Sequence, residues 1–293
     1  DRIAICGYHG WHDWYIGKTI RNLGVPEEVR RLSSMFRYND IESLESLFRS
    51  DPKGFSSVIM EPTGLFEPED GFLENVRKLC DKYGVLLIFD EIVSGFRVDL
   101  GGAQKKYNVI PDLSTFGKAM ANGMPLSAIV GSRKVMKLMD EIFFSTTFGG
   151  EALSLAASIA TITKLENLNA PSIFKQTGDD IHINVSRMII EAGLSEVIKV
   201  VGVDWWPRLE VKSFKDTSQA EVSSLLRQEL INNGIFIGGG FNLSISHNKE
   251  IIDTTYVGIK DALNKLSYYL KDNNPSEYLT GNIIQPIFQV RKL

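Results

Sequence analysis

The chain has 293 residues, of which 43% are hydrophobic and 23% charged, and its formal net charge is -4. This balance excludes a disordered chain, and with no block of Lys or Arg it offers no electrostatic basis for nucleic-acid binding. The length exceeds what one core usually organises, so one large and one smaller domain are expected.

The first half alternates strands with helices. Residues 3–7 read as a strand and residues 57–60 as a second, short and apolar. Residues 71–83 follow with Phe72, Leu73, Val76, Leu79, Cys80 and Tyr83 on one helical stripe, and Gly84 supplies the C-cap. Residues 85–89 are an unbroken apolar run ending in a charge. Strand, helix and strand in so short a span make a βαβ unit, hence a parallel sheet covered on both faces. Further strands are predicted at 113–116 and 127–131. The fold class is therefore α/β.

Residues 151–167 predict a long helix rich in Ala, Leu and Ile, suited to a spine between domains. Beyond it the pattern changes to an α+β layout. Strands are predicted at 198–203, 207–211, 235–238 and 243–246, and helices at 219–232 and 249–270, the last capped by Asn248 or a neighbour. A turn-rich break follows Asp272, then a short apolar stretch at 283–290. The domains are accordingly 1–167 and 168–293.

Cys6 and Cys80 both sit in apolar stretches, away from any Cys/His cluster. They read as reduced, buried thiols of a cytoplasmic protein. No stretch approaches the ~20 apolar residues of a membrane-spanning helix, so no membrane partner is expected. The opening residues read as an internal strand and not as a leader, and no initiator Met precedes them, which marks the sequence as a fragment or a processed form.

Four places invite chemistry. Asp90 ends a buried parallel strand, at the sheet edge where ligands bind in α/β folds, and a carboxylate there needs a partner. A loop cap satisfies that need as well as a ligand does. Lys118 follows Phe116-Gly117 after a predicted strand. Lysine forms Schiff bases with carbonyl compounds when desolvation or nearby charge favours the free amine, but most lysines are simply solvated. Ser145 to Glu151 runs hydroxyls and glycines into a helix start, which suits either an anion or an ordinary N-cap. Tyr8-His9-Gly10 places an aromatic ring at the end of the first strand, where it either stacks on a flat ligand or packs beside a turn. His9 and His12 also have a spacing that two metal ligands can share, although no third ligand accompanies them. His182, His247 and the Trp205-Trp206 pair are read as packing or capping residues.

Asp90-Glu91-Ile92-Val93-Ser94-Gly95-Phe96-Arg97, Gly101-Gly102-Ala103-Gln104, Pro111-Asp112-Leu113, Phe116-Gly117-Lys118 and Thr147-Phe148-Gly149-Gly150 occur together. In order and spacing they resemble the class III aminotransferases, nearest to the glutamate-1-semialdehyde 2,1-aminomutase branch. Tyr8-His9-Gly10, Tyr38-Asn39-Asp40 and Glu61-Pro62 fall in place too, so the resemblance runs from about Ile3 to the end of the chain. It implies a fold type I transferase, with a mainly parallel large domain and a smaller C-terminal α+β domain, and pyridoxal 5'-phosphate as cofactor. Lys118 then resembles the lysine that holds the cofactor and moves the proton. Asp90 resembles the partner of the ring nitrogen. Ile92 and Tyr8 resemble the residues over the two ring faces, and His9 falls with Tyr8 among the cofactor-binding positions. Thr147 resembles the residue that reaches the phosphate in a neighbouring subunit, which implies a homodimer with shared sites. No metal is implied.

The implied activity is transamination between a small-molecule amino donor and a keto or aldehyde acceptor. Val93, Glu151 and the Gly238–Phe241 region depart from the aminomutase pattern, which leaves a 1,2-amino shift as the alternative. The resemblance also implies a long segment before Tyr8 that is missing here, so a non-catalytic remnant is the third reading.

Overall fold

The computed structural model describes residues 1–238 and 240–284, so most of the predicted apolar stretch at 283–290 lies outside the described residues. The strands and helices come in the order β1 (Arg2–Cys6), α1 (Asp13–Ile16), α2 (Glu27–Arg31), β2 (Ser33–Met35), α3 (Ile41–Ser50), β3 (Phe55–Met60), α4 (Phe72–Tyr83), β4 (Leu86–Asp90), α5 (Gly102–Lys106), β5 (Leu113–Phe116), β6 (Ala128–Gly131) and α6 (Arg133–Met136). There follow α7 (Ala152–Asn167), α8 (Ala170–Glu191), β7 (Ile198–Val203), β8 (Trp206–Val211), α9 (Gln219–Asn232) and α10 (Lys249–Tyr269). The chain divides into two compact units, the first taking in Asp1–Pro171 and the second beginning at Ser172.

The first unit is built on a six-stranded sheet in the order β2-β1-β3-β4-β5-β6. Every pairing is parallel except the last, β5 with β6. Its core gathers one face of the sheet, with Val58, Met60, Leu87 and Phe89, against Leu44 and Phe48 of α3 and Leu73, Val76 and Cys80 of α4. The apolar stripe of α4 explains both its formation and its docking. Gly84 ends that helix at φ 68°, a left-handed conformation that costs glycine little.

The second unit pairs β7 antiparallel with β8 and packs α8, α9 and α10 around a core that includes Ile181, Val185, Val222, Leu225, Ile259 and Leu263. Ser218 and Glu221 form a reciprocal capping box at the start of α9. Asn248 caps α10 by accepting from the Ile251 amide, as the sequence predicts.

Some elements differ from expectation. Residues 235–238 and 243–246 are not strands. The Ile235 amide donates back to Leu230 O at 2.8 Å and so closes the end of α9. Ser244 and His247 close a turn on each other, His247 N donating to Ser244 O and Ser244 N to His247 Nδ1. Helix α8 was not predicted, because Pro171, Gly178 and several β-branched residues weaken its helical pattern. Tertiary packing overrides that weakness: a Cβ at Gly178 would stand only 1.4 Å from the carbonyl oxygen of Asp204, so this turn of helix must be glycine.

Candidate active site

In the first unit, β1 lies between β2 and β3, so the chain runs outward in opposite directions from the β1/β3 pair. Such a reversal opens a crevice at the carboxyl ends of the strands. The structure has a cleft of about 650 Å³ there, whose lining includes Tyr8, His9, Glu61, Asp90, Ile92 and Lys118. His9 follows β1, Glu61 follows β3, Asp90 ends β4, and Lys118 follows β5 after one glycine. Parallel register brings them together: Cys6 pairs with Met60, Met60 with Phe89, and Asp90 with Thr115.

Asp90 is held from three sides. His9 Nδ1 lies 2.7 Å from Oδ2, while the Ile92 amide and the Thr115 hydroxyl each donate to Oδ1 at 3.2 Å. His9 is 5% exposed and its Nε2 lies 3.0 Å from the carbonyl oxygen of Cys6. Both ring nitrogens of His9 are thus engaged inside the fold. His12 instead turns its Nδ1 to the His9 carbonyl at 3.2 Å, so the two histidines do not present the ligand pair that their spacing suggested. Among the described residues no group of three or more His, Cys, Asp or Glu is placed to hold a metal.

Lys118 sits at φ 43°, in the left-handed region that few non-glycine residues enter. A tight turn over Lys118–Met120 holds it there, with the Asn122 amide donating to its carbonyl at 3.1 Å. Strain of this kind concentrates at functional positions. The Lys118 ammonium is pushed below its usual pKa, first by desolvation and then by the Arg97 guanidinium, while Asp90 and Glu61 pull it back up. A larger share of free amine follows at any given pH. Gly117 is required by close approach: a Cβ there would come within 3.0 Å of Ile92 Cδ1. Ile92 therefore lies against the backbone that presents Lys118. Tyr8 is 54% exposed and meets Tyr15 edge to face at 5.6 Å.

Thr147 does not line this cleft; its neighbour Thr146 does. Glu151 is an N-cap, accepting from Leu153 N at 2.6 Å and Ser154 N at 2.8 Å. The stretch thus runs into an ordinary helix start capped by Glu151.

Two carboxylates, the half-buried Glu61 and the buried Glu91, received no role from the sequence. Glu61 accepts from the Tyr8 amide at 2.8 Å, and burial pushes its pKa upward. The signal was available, since Glu61 ends the apolar run of β3 as Asp90 ends that of β4. Glu91 is fully buried and turns away from the cleft residues to bind Ser94 Oγ and the amides of Ala103 and Gln104 at 2.6–3.0 Å. Its backbone donors lie 12 and 13 residues further along the chain, which a linear reading does not bring to it.

A family model described as aminotransferase class III matches residues 20–201. A 3-aminobutyryl-CoA aminotransferase from Cloacimonas acidaminovorans is 34% identical over 271 residues, which cover 89% of this chain and 64% of that protein. A glutamate-1-semialdehyde 2,1-aminomutase from Ignicoccus hospitalis is 30% identical over 284 residues, covering 89% of this chain and 67% of that one. The chain thus spans about two thirds of the length of these curated relatives. Among solved structures, a transaminase with PLP bound superposes with a TM-score of 0.83 at 25% identity, covering 92% of this chain and 69% of that one.

Proposed function

Since the chain belongs to the class III aminotransferase family, we propose that it is the greater part of a pyridoxal-phosphate-dependent aminotransferase acting on a small-molecule amino donor and a keto or aldehyde acceptor. One observation carries this reading: a single cleft joins a lysine in a strained turn to a carboxylate already anchored by three hydrogen bonds.

The residues suit the cofactor. Its aldehyde needs an amine, its ring nitrogen a carboxylate, and its flat ring apolar cover, and Lys118, Asp90 and Ile92 line one cleft with those chemistries. When bound, pyridoxal phosphate supplies an electron sink for negative charge developing at the substrate carbon. Asp90 would pair with the ring nitrogen and favour its protonated form, which would deepen that sink. Lys118 would hold the cofactor through Nζ, and the same amine would serve as the acid–base group for the proton at the substrate carbon. A positioned acid–base group of this kind typically contributes about 10²–10⁴-fold. Ile92 and Tyr8 would cover the ring and exclude water, and His9 would belong to the same site beside Asp90. Thr147 serves the phosphate of a neighbouring subunit in a homodimer, a role supported by its exposure outside its own cleft. The unit spanning Asp1–Pro171 serves as the cofactor-binding domain and the unit beginning at Ser172 as the smaller one. Two buried, unbridged cysteines support a cytoplasmic location.

The test is to incubate the full chain with pyridoxal phosphate, reduce with borohydride, and map adducts by mass spectrometry. A stoichiometric adduct on Lys118, abolished in Lys118→Ala, is expected. Scattered labelling of surface lysines, or an equal yield from the variant, refutes the assignment. A second reading, intramolecular amino transfer, is favoured by the several relatives named as aminomutases. Turnover of a vicinal amino aldehyde with no added acceptor would select it.

A further inference from the structure

We propose that the cleft selects an amino compound with an apolar or aromatic body and no carboxylate, its amine at the Lys118 end and its body on a wall that includes Trp11, Ile129, Met136, Met139 and Phe144. The proposal deepens the aminotransferase reading above and rests on it.

The cleft draws its polar and apolar groups from different parts of the chain. The polar ones, among them Glu61, Asp90, Thr115 and Lys118, come from the ends of β3, β4 and β5. The apolar ones come mostly from the segment between β6 and α7. Ile129 lies in β6, Met136 ends α6, Met139 lies in the turn that follows, and Phe144 precedes α7. Trp11 joins them from the segment after β1. Phe144 is 60% exposed, Ile129 42% and Trp11 81%. Large apolar side chains left open beside a few convergent polar groups are the usual composition of a small-molecule site, and about 650 Å³ is an ordinary size for one. Phe144 differs here from Phe143, which is more exposed still but does not line the cleft.

The aromatic part of the wall is preset. Trp11 stacks on His12 with ring centroids 5.3 Å apart and planes 4° from parallel, and Trp14 follows at 5.8 Å and 23° from His12. The contact of His12 Nδ1 with the His9 carbonyl fixes the middle ring. An apolar body laid on such a stack gains contact area at little cost in side-chain ordering. Met136 and Met139 supply the adaptable part of the surface.

Charge decides the rest. Among the described residues Lys118 is the only lysine or arginine lining the cleft, and Glu61 and Asp90 line it with carboxylates. An amine entering there meets opposite charge. A substrate carboxylate would lie among like charges or against a wall with no hydrogen bond to offer it, which is costly.

The test compares two amines of matched chain length, 3-phenylpropylamine and 4-aminobutyrate, one ending in a phenyl ring and the other in a carboxylate. In calorimetric titration of the cofactor-free full chain the phenyl compound should bind at least about 10-fold more tightly, as expected for covering on the order of 50 Å² of apolar surface. Trp11→Ala and Phe144→Arg change exposed side chains, so both variants should keep the fold. Trp11→Ala should weaken the phenyl compound by roughly 5- to 10-fold and leave 4-aminobutyrate unchanged. Phe144→Arg should shift the ratio toward 4-aminobutyrate by about 10-fold, through a charge-assisted contact with its carboxylate. Equal or tighter binding of 4-aminobutyrate by the wild-type chain, or a ratio unmoved by both variants, overturns the proposal.

Loading with pyridoxal phosphate separates the two readings. In a chain labelled on Lys118, each amine is followed by the rate at which it changes the absorption spectrum of the bound cofactor, and the phenyl compound should again lead. If the adduct forms and that preference is absent, this proposal falls alone. If no adduct forms while the binding preference and its dependence on Trp11 persist, the failure belongs to the aminotransferase reading and the selectivity of the wall stands.

Discussion

Asp90 and Glu91 are adjacent carboxylates with opposite surroundings. Asp90 ends its strand facing the cleft, while Glu91 is fully buried and saturated by donors from the following loop. Alternation along an extended backbone sends neighbours to opposite faces, which is why one position lies at the site and the next braces the scaffold. Glu61 is the third carboxylate of this region and titrates with a definite sign. Burial raises its pKa above the ordinary 4.5, so the native chain binds the proton more tightly than the unfolded one. The stabilisation this represents is complete below pH 4.5 and is lost as pH rises through the folded-state pKa. Glu61→Gln retains an acceptor for the Tyr8 amide and has no charge to develop. Its melting temperature relative to wild type should therefore rise between pH 4.5 and pH 8; a difference that stays flat would contradict the assignment. Asp90 was singled out in the sequence because it ends a recognisable strand and Lys118 because it follows one after a glycine, and their expected roles came from the family resemblance. Glu61 carried the same signal, but its partner, the Tyr8 amide, lies 53 residues away and so could not be read locally.

At the scale of elements, the short helix α5 depends on a side chain outside it. The Glu91 carboxylate accepts from Ala103 N and Gln104 N and so satisfies the first turn of a helix whose own N-cap, Gly101, has no side chain to offer. Gly102, at φ 76°, leaves room for that carboxylate, since a Cβ would come within 2.5 Å of Glu91 Oε1. Glu91→Ala strands these buried donors and should cost roughly 2–4 kcal/mol in chemical denaturation. Loss below 1 kcal/mol, by about the net value of one ordinary hydrogen bond, would show that solvent replaces the carboxylate. The amphipathic helices and apolar strands were legible because their periodicity is a property of sequence alone. Helix α8 was not, because its stability comes from packing that a single sequence does not display.

At the scale of the molecule, each unit has its own core, and the cleft that joins Asp90 and Lys118 is lined by residues of the first. That unit exposes several large apolar side chains in and after the loop preceding α7: Phe143 is 98% exposed, Phe148 66%, Leu153 62% and Ile159 70%. Patches of this kind mark association surfaces, and a second copy of the chain is the partner implied by the proposed homodimer. Sedimentation of the full chain should show a dimer that shifts toward monomer in Phe143→Asp/Phe148→Asp. A wild-type chain that is monomeric across micromolar concentrations would remove the shared-site proposal.

By itself the sequence determined the alternation of buried strands with amphipathic helices, the change to a second layout after α7, and the order of the motifs around Asp90 and Lys118. Periodicity, caps and residue chemistry are local, and they survive in a linear reading. Only the tertiary structure decided which side chains meet. Residues 9, 61, 90 and 118 converge because parallel register aligns the carboxyl ends of β1, β3, β4 and β5 at a reversal of strand order. Whether a carboxylate at a strand end faces ligand or backbone depends on donors brought from distant loops, and a chain folds those into place only as a whole.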